Sequence, residues 1–179
     1  MLKKILIALV AIVIVILGIA ASKSPDFRIE RGILIGAPQE AVFAQVNDFH
    51  NWQAWSPWAK RDPQAKNTFE GPSSGAGATF SWEGNREVGQ GRMTIVESNP
   101  NDLIRIRLDF LKPFEATNNA EFTFKSENGQ TQVTWAMTGK SSLISRVFCI
   151  FMNMDKMVGG DFEKGLTGIK SIAEAAGKR

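Results

Sequence analysis

Ile104-Arg105-Ile106-Arg107-Leu108-Asp109-Phe110 alternates apolar and charged side chains without a slip. Successive side chains of an extended chain point to opposite faces, so this run sets apolar groups on one face and charges on the other. That is a strand half in a core and half in water. The same period recurs on both sides of it. Phe80 and Trp82 alternate with Thr79, Ser81 and Glu83; Phe122 and Phe124 with Glu121, Thr123 and Lys125; Val133, Trp135 and Met137 with Thr134, Ala136 and Thr138. Between these runs lie Gly71 to Gly77, Gly84-Asn85, Asn99-Pro100-Asn101 and Glu127-Asn128-Gly129, all turn-forming sequences. From Thr68 onward the chain therefore reads as an antiparallel meander with one apolar face.

Outside the meander the period changes. Val158, Phe162, Leu166, Ile169 and Ala173 recur at helical spacing, with Asp161, Glu163, Lys164 and Lys170 off that face, so a long C-terminal helix is expected. The apolar stretch Leu143 to Met154 precedes it, and Gly159-Gly160 is expected to weaken continuity between the two pieces. Upstream, Phe27, Ile29, Ile33 and Ile35 share one parity and mark a first strand. Pro38 suits a first helical turn, and Val42, Phe43 and Val46 carry a short helix to about Asn47. Asp48 to Trp58 reads as a second short helix broken at Pro57. Trp52, Trp55 and Trp58 crowd that segment; rings of this size so close together belong to a core junction or a pocket wall.

Ile5 to Ala21 is an unbroken apolar run between Lys3-Lys4 and Ser22. Its length lies at the short end of a spanning helix and above a typical signal-peptide core. An uncleaved, single-pass anchor is expected over residues 1–25, with the domain at 26–179. Gly18 and Ala20 keep a cleaved signal peptide open as the alternative. Lys3 and Lys4 favour a cytoplasmic N-terminus, which puts the domain on the extracytoplasmic side. Removing those two lysines from the formal charge of +3 leaves the rest near neutral, so nucleic acid is not expected as a partner. One cysteine and one histidine exclude an internal disulfide and metal centres built from several such ligands.

One strand, short helices, a curved antiparallel sheet and a long amphipathic helix bury their apolar faces together if the sheet wraps the last helix, an α+β helix-grip arrangement. Ala37-Pro38, Asn51-Trp52 with Trp55-Ser56-Pro57-Trp58, Trp82-Glu83-Gly84-Asn85, Val88 to Met93, and Asp161 to Leu166 together resemble the START-like or SRPBCC superfamily, near its polyketide cyclase/dehydrase-like branch. The resemblance spans about residues 27–175. It implies the helix-grip fold and a choice of lipid carriers, cyclases, ligand receptors and chaperone regulators.

Within that frame the expected function is noncatalytic binding of a lipid-like or other hydrophobic small molecule between sheet and C-terminal helix. The expected walls are Phe80, Trp82, Ile106, Phe122, Phe124, Trp135 and Met137, joined by Phe162 and Leu166 from the helix. A cyclase or dehydratase acting on a hydrophobic carbonyl compound is the alternative, with Glu83, Glu115 or His50 as its acid or base. Strand parity turns Glu83 and Asp109 away from the apolar face, and no orienting carboxylate for His50 is evident in the sequence. A module that accepts an apolar segment of another protein is a third alternative. Gly89-Gln90-Gly91-Arg92 lacks the third glycine and the strand-to-helix setting of a phosphate loop, so neither nucleotide nor other cofactor is expected. Cys149 reads as a small core residue, and Met152, Met154 and Met157 as core packing compatible with an adaptable lid.

Overall fold

The computed structural model describes residues 1–177. Helix α1 (Leu2–Ser22) leads into β1 (Asp26–Ile35), then α2 (Gln39–Asn47), a 3-10 turn (Phe49–Asn51), α3 (Trp52–Trp55) and α4 (Pro57–Arg61). Strands β2 (Lys66–Glu70), β3 (Thr79–Glu83), β4 (Gln90–Asn99), β5 (Leu103–Lys112), β6 (Ala116–Glu127) and β7 (Gln130–Lys140) follow, and α5 (Leu143–Phe151) and α6 (Met154–Ala176) close the chain. The strands form one antiparallel sheet in the order β1-β7-β6-β5-β4-β3-β2. Each strand pairs with its sequence neighbour except β1, which closes on β7. The α+β helix-grip architecture follows directly: α6 lies along the apolar face, with Phe162, Leu166, Ile169 and Ala173 buried against it.

Alternation decides what faces the helix. Ile104 and Ile106 are fully buried and Arg105 and Arg107 exposed, as the period-two reading requires. Register slips leave Leu111 of β5 unpaired opposite Gln90 and Gly91, and Val96 of β4 unpaired between Ile95 and Glu97. Such bulges bend a strand and increase its twist, which curves the sheet around the helix.

The tryptophan cluster is tied to the end of α2. A helix leaves its last four carbonyls without an intrahelical donor. Here Asn51 Nδ2 donates to Ala44 O at 3.0 Å, Trp55 Nε1 to Gln45 O at 3.0 Å and Trp52 Nε1 to Val46 O at 2.9 Å. Gly75 N donates to the remaining carbonyl, Asn47 O, at 3.0 Å. The Asn-Trp-x-x-Trp segment thus caps one helix while its rings fill the core.

Two expectations are corrected. The break near Pro57 is present, but it falls at extended Ser56; Pro57 opens α4 at its first turn, where a missing N–H removes no bond. Helix α6 runs unbroken through Gly159-Gly160 from Met154, and the interruption lies earlier, at Met152-Asn153. Asn153 caps the new helix by accepting from Lys156 N at 2.9 Å. Gly159 has a different role: a Cβ there would lie 2.1 Å from the Arg31 guanidinium, so its hydrogen lets that group lie flat on the helix.

Candidate functional site

The inner face of the sheet brings the sequence-expected residues together. Phe80, Ile106, Phe122, Phe124, Trp135, Met137, Phe162 and Leu166 are buried in a single apolar cluster, and Trp82 is half-buried at its edge. Trp135 is the hub. It stacks on Phe162 of α6 with centroids 4.1 Å apart and on Phe122 at 4.7 Å, while Trp52, Trp55 and Trp58 meet it edge-on at 6.2, 5.9 and 5.9 Å. Gly165 and Gly168 let α6 press onto this row, because a Cβ would lie 2.8 Å from the Trp135 ring and 3.0 Å from the Trp55 backbone oxygen, respectively.

This face is apolar, yet two polar groups on it are poorly served. The Nε1–H of Trp135 is buried and has no hydrogen-bond partner among the described residues. Asn118, also buried, donates only to the Met137 thioether at 4.0 Å, a weak acceptor. Buried donors are ordinarily paired, and an unpaired one costs about 1–3 kcal/mol. Asn118 is absent from the sequence-level list of walls. Its signal was available: it shares parity with Ala120, Phe122 and Phe124, so it is a polar residue on an apolar row.

The candidate acids and bases lie elsewhere. Glu83 and Glu115 are exposed, and Asp109 is held on the outward face by Arg107 at 2.9 Å and by the Thr117 hydroxyl at 2.6 Å. His50 does have an orienting carboxylate, contrary to expectation: Asp48 Oδ1 lies 2.7 Å from Nδ1. The same oxygen accepts from the His50 backbone N at 2.8 Å, capping the 3-10 turn, and the imidazole stacks on Phe69 at 4.1 Å. His50 is exposed and belongs to the rim of a small hollow of about 220 Å3 beneath the Gly71 to Gly77 loop.

Between sheet and α6, Trp135 is stacked between Phe122 and Phe162. The larger depression, about 770 Å3, lies mainly on the outward side of β2 to β6 among Thr68, Ser81, Arg92, Arg107, Asp109 and Thr117. Trp82 is the one expected wall residue that reaches it. Both of its arginines are already paired: Arg92 binds Glu70 at 2.8 Å and Arg107 binds Asp109. Beyond the sheet, Arg31 of β1 reaches α6, bonding Asp155 at 3.0 Å and Glu163 at 2.8 Å. These carboxylates hold the guanidinium even more firmly protonated, and Arg31 in turn holds the Asp155 carboxyl below its ordinary range.

A family described as polyketide cyclase/dehydrase and lipid transport matches residues 26–174. No curated protein matches the chain. Among solved structures, protein CV1439 from Chromobacterium violaceum is similar with a TM-score of 0.59 at 13% identity, over 84% of this chain and 97% of that one. The di-domain ARO/CYC StfQ from the steffimycin biosynthetic pathway gives 0.62 at 11% identity, over 86% of this chain and 53% of its own. Ara h 8.0201 gives 0.56 at 10% identity, over 84% and 99%. At such identities the likeness extends to the fold.

Proposed function

Because the chain belongs to the polyketide cyclase/dehydrase and lipid transport family of the SRPBCC superfamily, we propose that it is a noncatalytic binding domain for a lipid-like molecule carrying one hydrogen-bond acceptor. Residues 1–25 tether it to the membrane from the extracytoplasmic side, and residues 26–179 form the binding domain. The observation that carries the binding reading is the buried, unpaired Trp135 Nε1–H on a mainly apolar face. An apolar chain gains from burial against Phe80, Ile106, Phe122, Phe124, Met137 and Leu166, while a carbonyl or carboxylate oxygen accepts from Trp135. Phe162 must slide off the Trp135 face to admit it, a minor conformation that the ligand stabilises. Helix α1 supports the tether: it is long and apolar enough to span a bilayer and is almost wholly exposed.

The fluorescent fatty acid cis-parinaric acid tests this reading on the full chain in detergent micelles, with empty micelles subtracted. Saturable binding is expected, weakened about 3–10-fold in Trp135→Phe, the range of one neutral hydrogen bond, and unchanged in Glu83→Gln. Equal affinity in Trp135→Phe and the parent contradicts the assignment of the indole as donor. Absence of saturable binding to the parent contradicts the binding reading itself.

A further inference from the structure

Helix α5 has an apolar stripe with nothing on it. Ile144, Phe148 and Phe151 recur at i, i+4 and i+7 and are 64%, 55% and 70% exposed. No residue of α5 is buried, although the helix is strongly amphipathic. Soluble surfaces seldom present such a row without a partner.

The surroundings of α5 identify that partner. Its other side packs along α1. Arg146 donates to Ala21 O at 3.3 Å and to Lys23 O at 2.8 Å, covering carbonyls at the end of α1 with a cation. The Ser141 amide donates to Pro25 O at 2.7 Å, fixing the linker on the other flank. The exposed stripe therefore belongs to a helix packed directly against α1, whose apolar residues are likewise exposed.

Sheet register brings a second apolar tip to the same end. Asp26 pairs with Lys140, and Gly139 with Asn118, so β1 begins, β7 ends and β6 begins together. Phe110 pairs with Ala116 in the same direction, which sends the β5–β6 turn out from this end with Leu111 and Phe114 48% and 69% exposed. Lys23, Lys112 and Lys140 stand around it with Asp26 and Glu115. Helix α6 also starts here, since its first turn meets Arg31 in β1 while Glu174 near its other end meets Gly36 beyond β1.

We propose that this end of the domain docks on a lipid bilayer, with α5 lying in the interface and the β5–β6 turn inserting Leu111 and Phe114 beside it. The proposal rests on the reading of α1 as a bilayer anchor. An amphipathic helix buries its apolar face at the headgroup boundary, with Arg146 remaining at headgroup level. A bilayer is favoured over a protein groove because α5 packs against α1 and is held at its end by Arg146, next to the helix read as entering lipid. Docking also places against the source of a lipid ligand both the start of α6 and the edge of the aromatic row, where the Trp82 and Phe110 ring centroids lie 6.1 Å apart.

The test uses the full chain, with residues 1–21 confirmed by intact mass, in vesicles of phosphatidylcholine and phosphatidylglycerol. In a Cys149→Ala background, an NBD fluorophore is attached through Phe148→Cys, Phe114→Cys or, at the opposite end of the sheet, Asn128→Cys. Nitroxide-labelled phosphatidylcholine should quench emission from positions 148 and 114, which should be shielded from aqueous iodide; position 128 should show the reverse. Alkaline extraction of the same vesicles reports the anchor separately. Retention of the chain with 148 and 114 quenched by iodide alone overturns the docking and leaves the anchor standing. Extraction with lipid quenching at both positions upholds the docking and overturns the anchor. Shielding of 148 from both quenchers, with cross-linking to a second copy, overturns the bilayer in favour of self-association.

Discussion

Trp52 and Trp135 are equally buried, each 3% exposed, and differ in what their N–H groups do. The Trp52 indole supplies the donor for Val46 O, whereas that of Trp135 has none to serve. Replacing either with Phe removes the same ring atoms. Trp52→Phe also strands a helix-terminal carbonyl, so it should destabilise the fold by about 1–3 kcal/mol more than Trp135→Phe. Urea denaturation of the two variants checks this, and equal midpoints and slopes would refute it. Residue-level legibility was uneven for the same reason. Parity located Phe80, Phe122, Phe124, Trp135 and Met137 on one face, because alternation depends only on strand geometry. It could not show that Trp52 and Trp55 would find carbonyls on α2 while Trp135 would not, since indole partners depend on the path of the chain. Asp48 beside His50 was hidden likewise: the pair lies two residues apart, and the bond forms only because the chain turns there.

At the scale of elements, α6 is held by more than its apolar face. Arg31 sits on the inward parity of β1, an apparent misfit until Asp155, Glu163 and bare Gly159 are seen beneath it. Both carboxylates are solvent-exposed although Arg31 is half-buried, so the contribution is modest and salt-sensitive. Its pH dependence has a definite sign. Arg31, chiefly through hydrogen bonding, lowers the Asp155 pKa, so the stabilisation is fully present above the ordinary aspartate value and is lost as pH falls through the depressed one. The parent should therefore exceed Asp155→Asn in stability at neutral pH, and the gap should close as pH falls below about 4. Melting both proteins across that range measures it; a constant gap would show that Arg31 does not act through the ionised carboxylate. The Gly159-Gly160 expectation failed for a related reason. Helix propensity is local and weak, and here a cap at Asn153 and a tertiary contact at Gly159 outweigh it.

For the molecule as a whole, period-two runs and one helical stripe were sufficient to reach the sheet wrapped on α6, because every strand but β1 pairs with its neighbour in sequence. The partner of β1 and the exposure of α5 were not legible, since both depend on where distant segments meet. Cys149, Met152, Met154 and Met157 read as core packing, yet α5 stands outside the domain core and against α1, and the three methionines are exposed. Between sheet and α6, a lipid-like ligand is proposed to meet the unpaired Trp135 indole. The most direct test of that contact is the indole region of a 1H–15N correlation spectrum of the full chain in nanodiscs, titrated with oleic acid. Trp52, Trp55 and Trp82 already donate to Val46, Gln45 and Val88 carbonyls. The Trp135 Nε1–H resonance should move downfield and saturate with ligand, with smaller changes at those three. Saturable binding that leaves the Trp135 resonance in place would contradict the account.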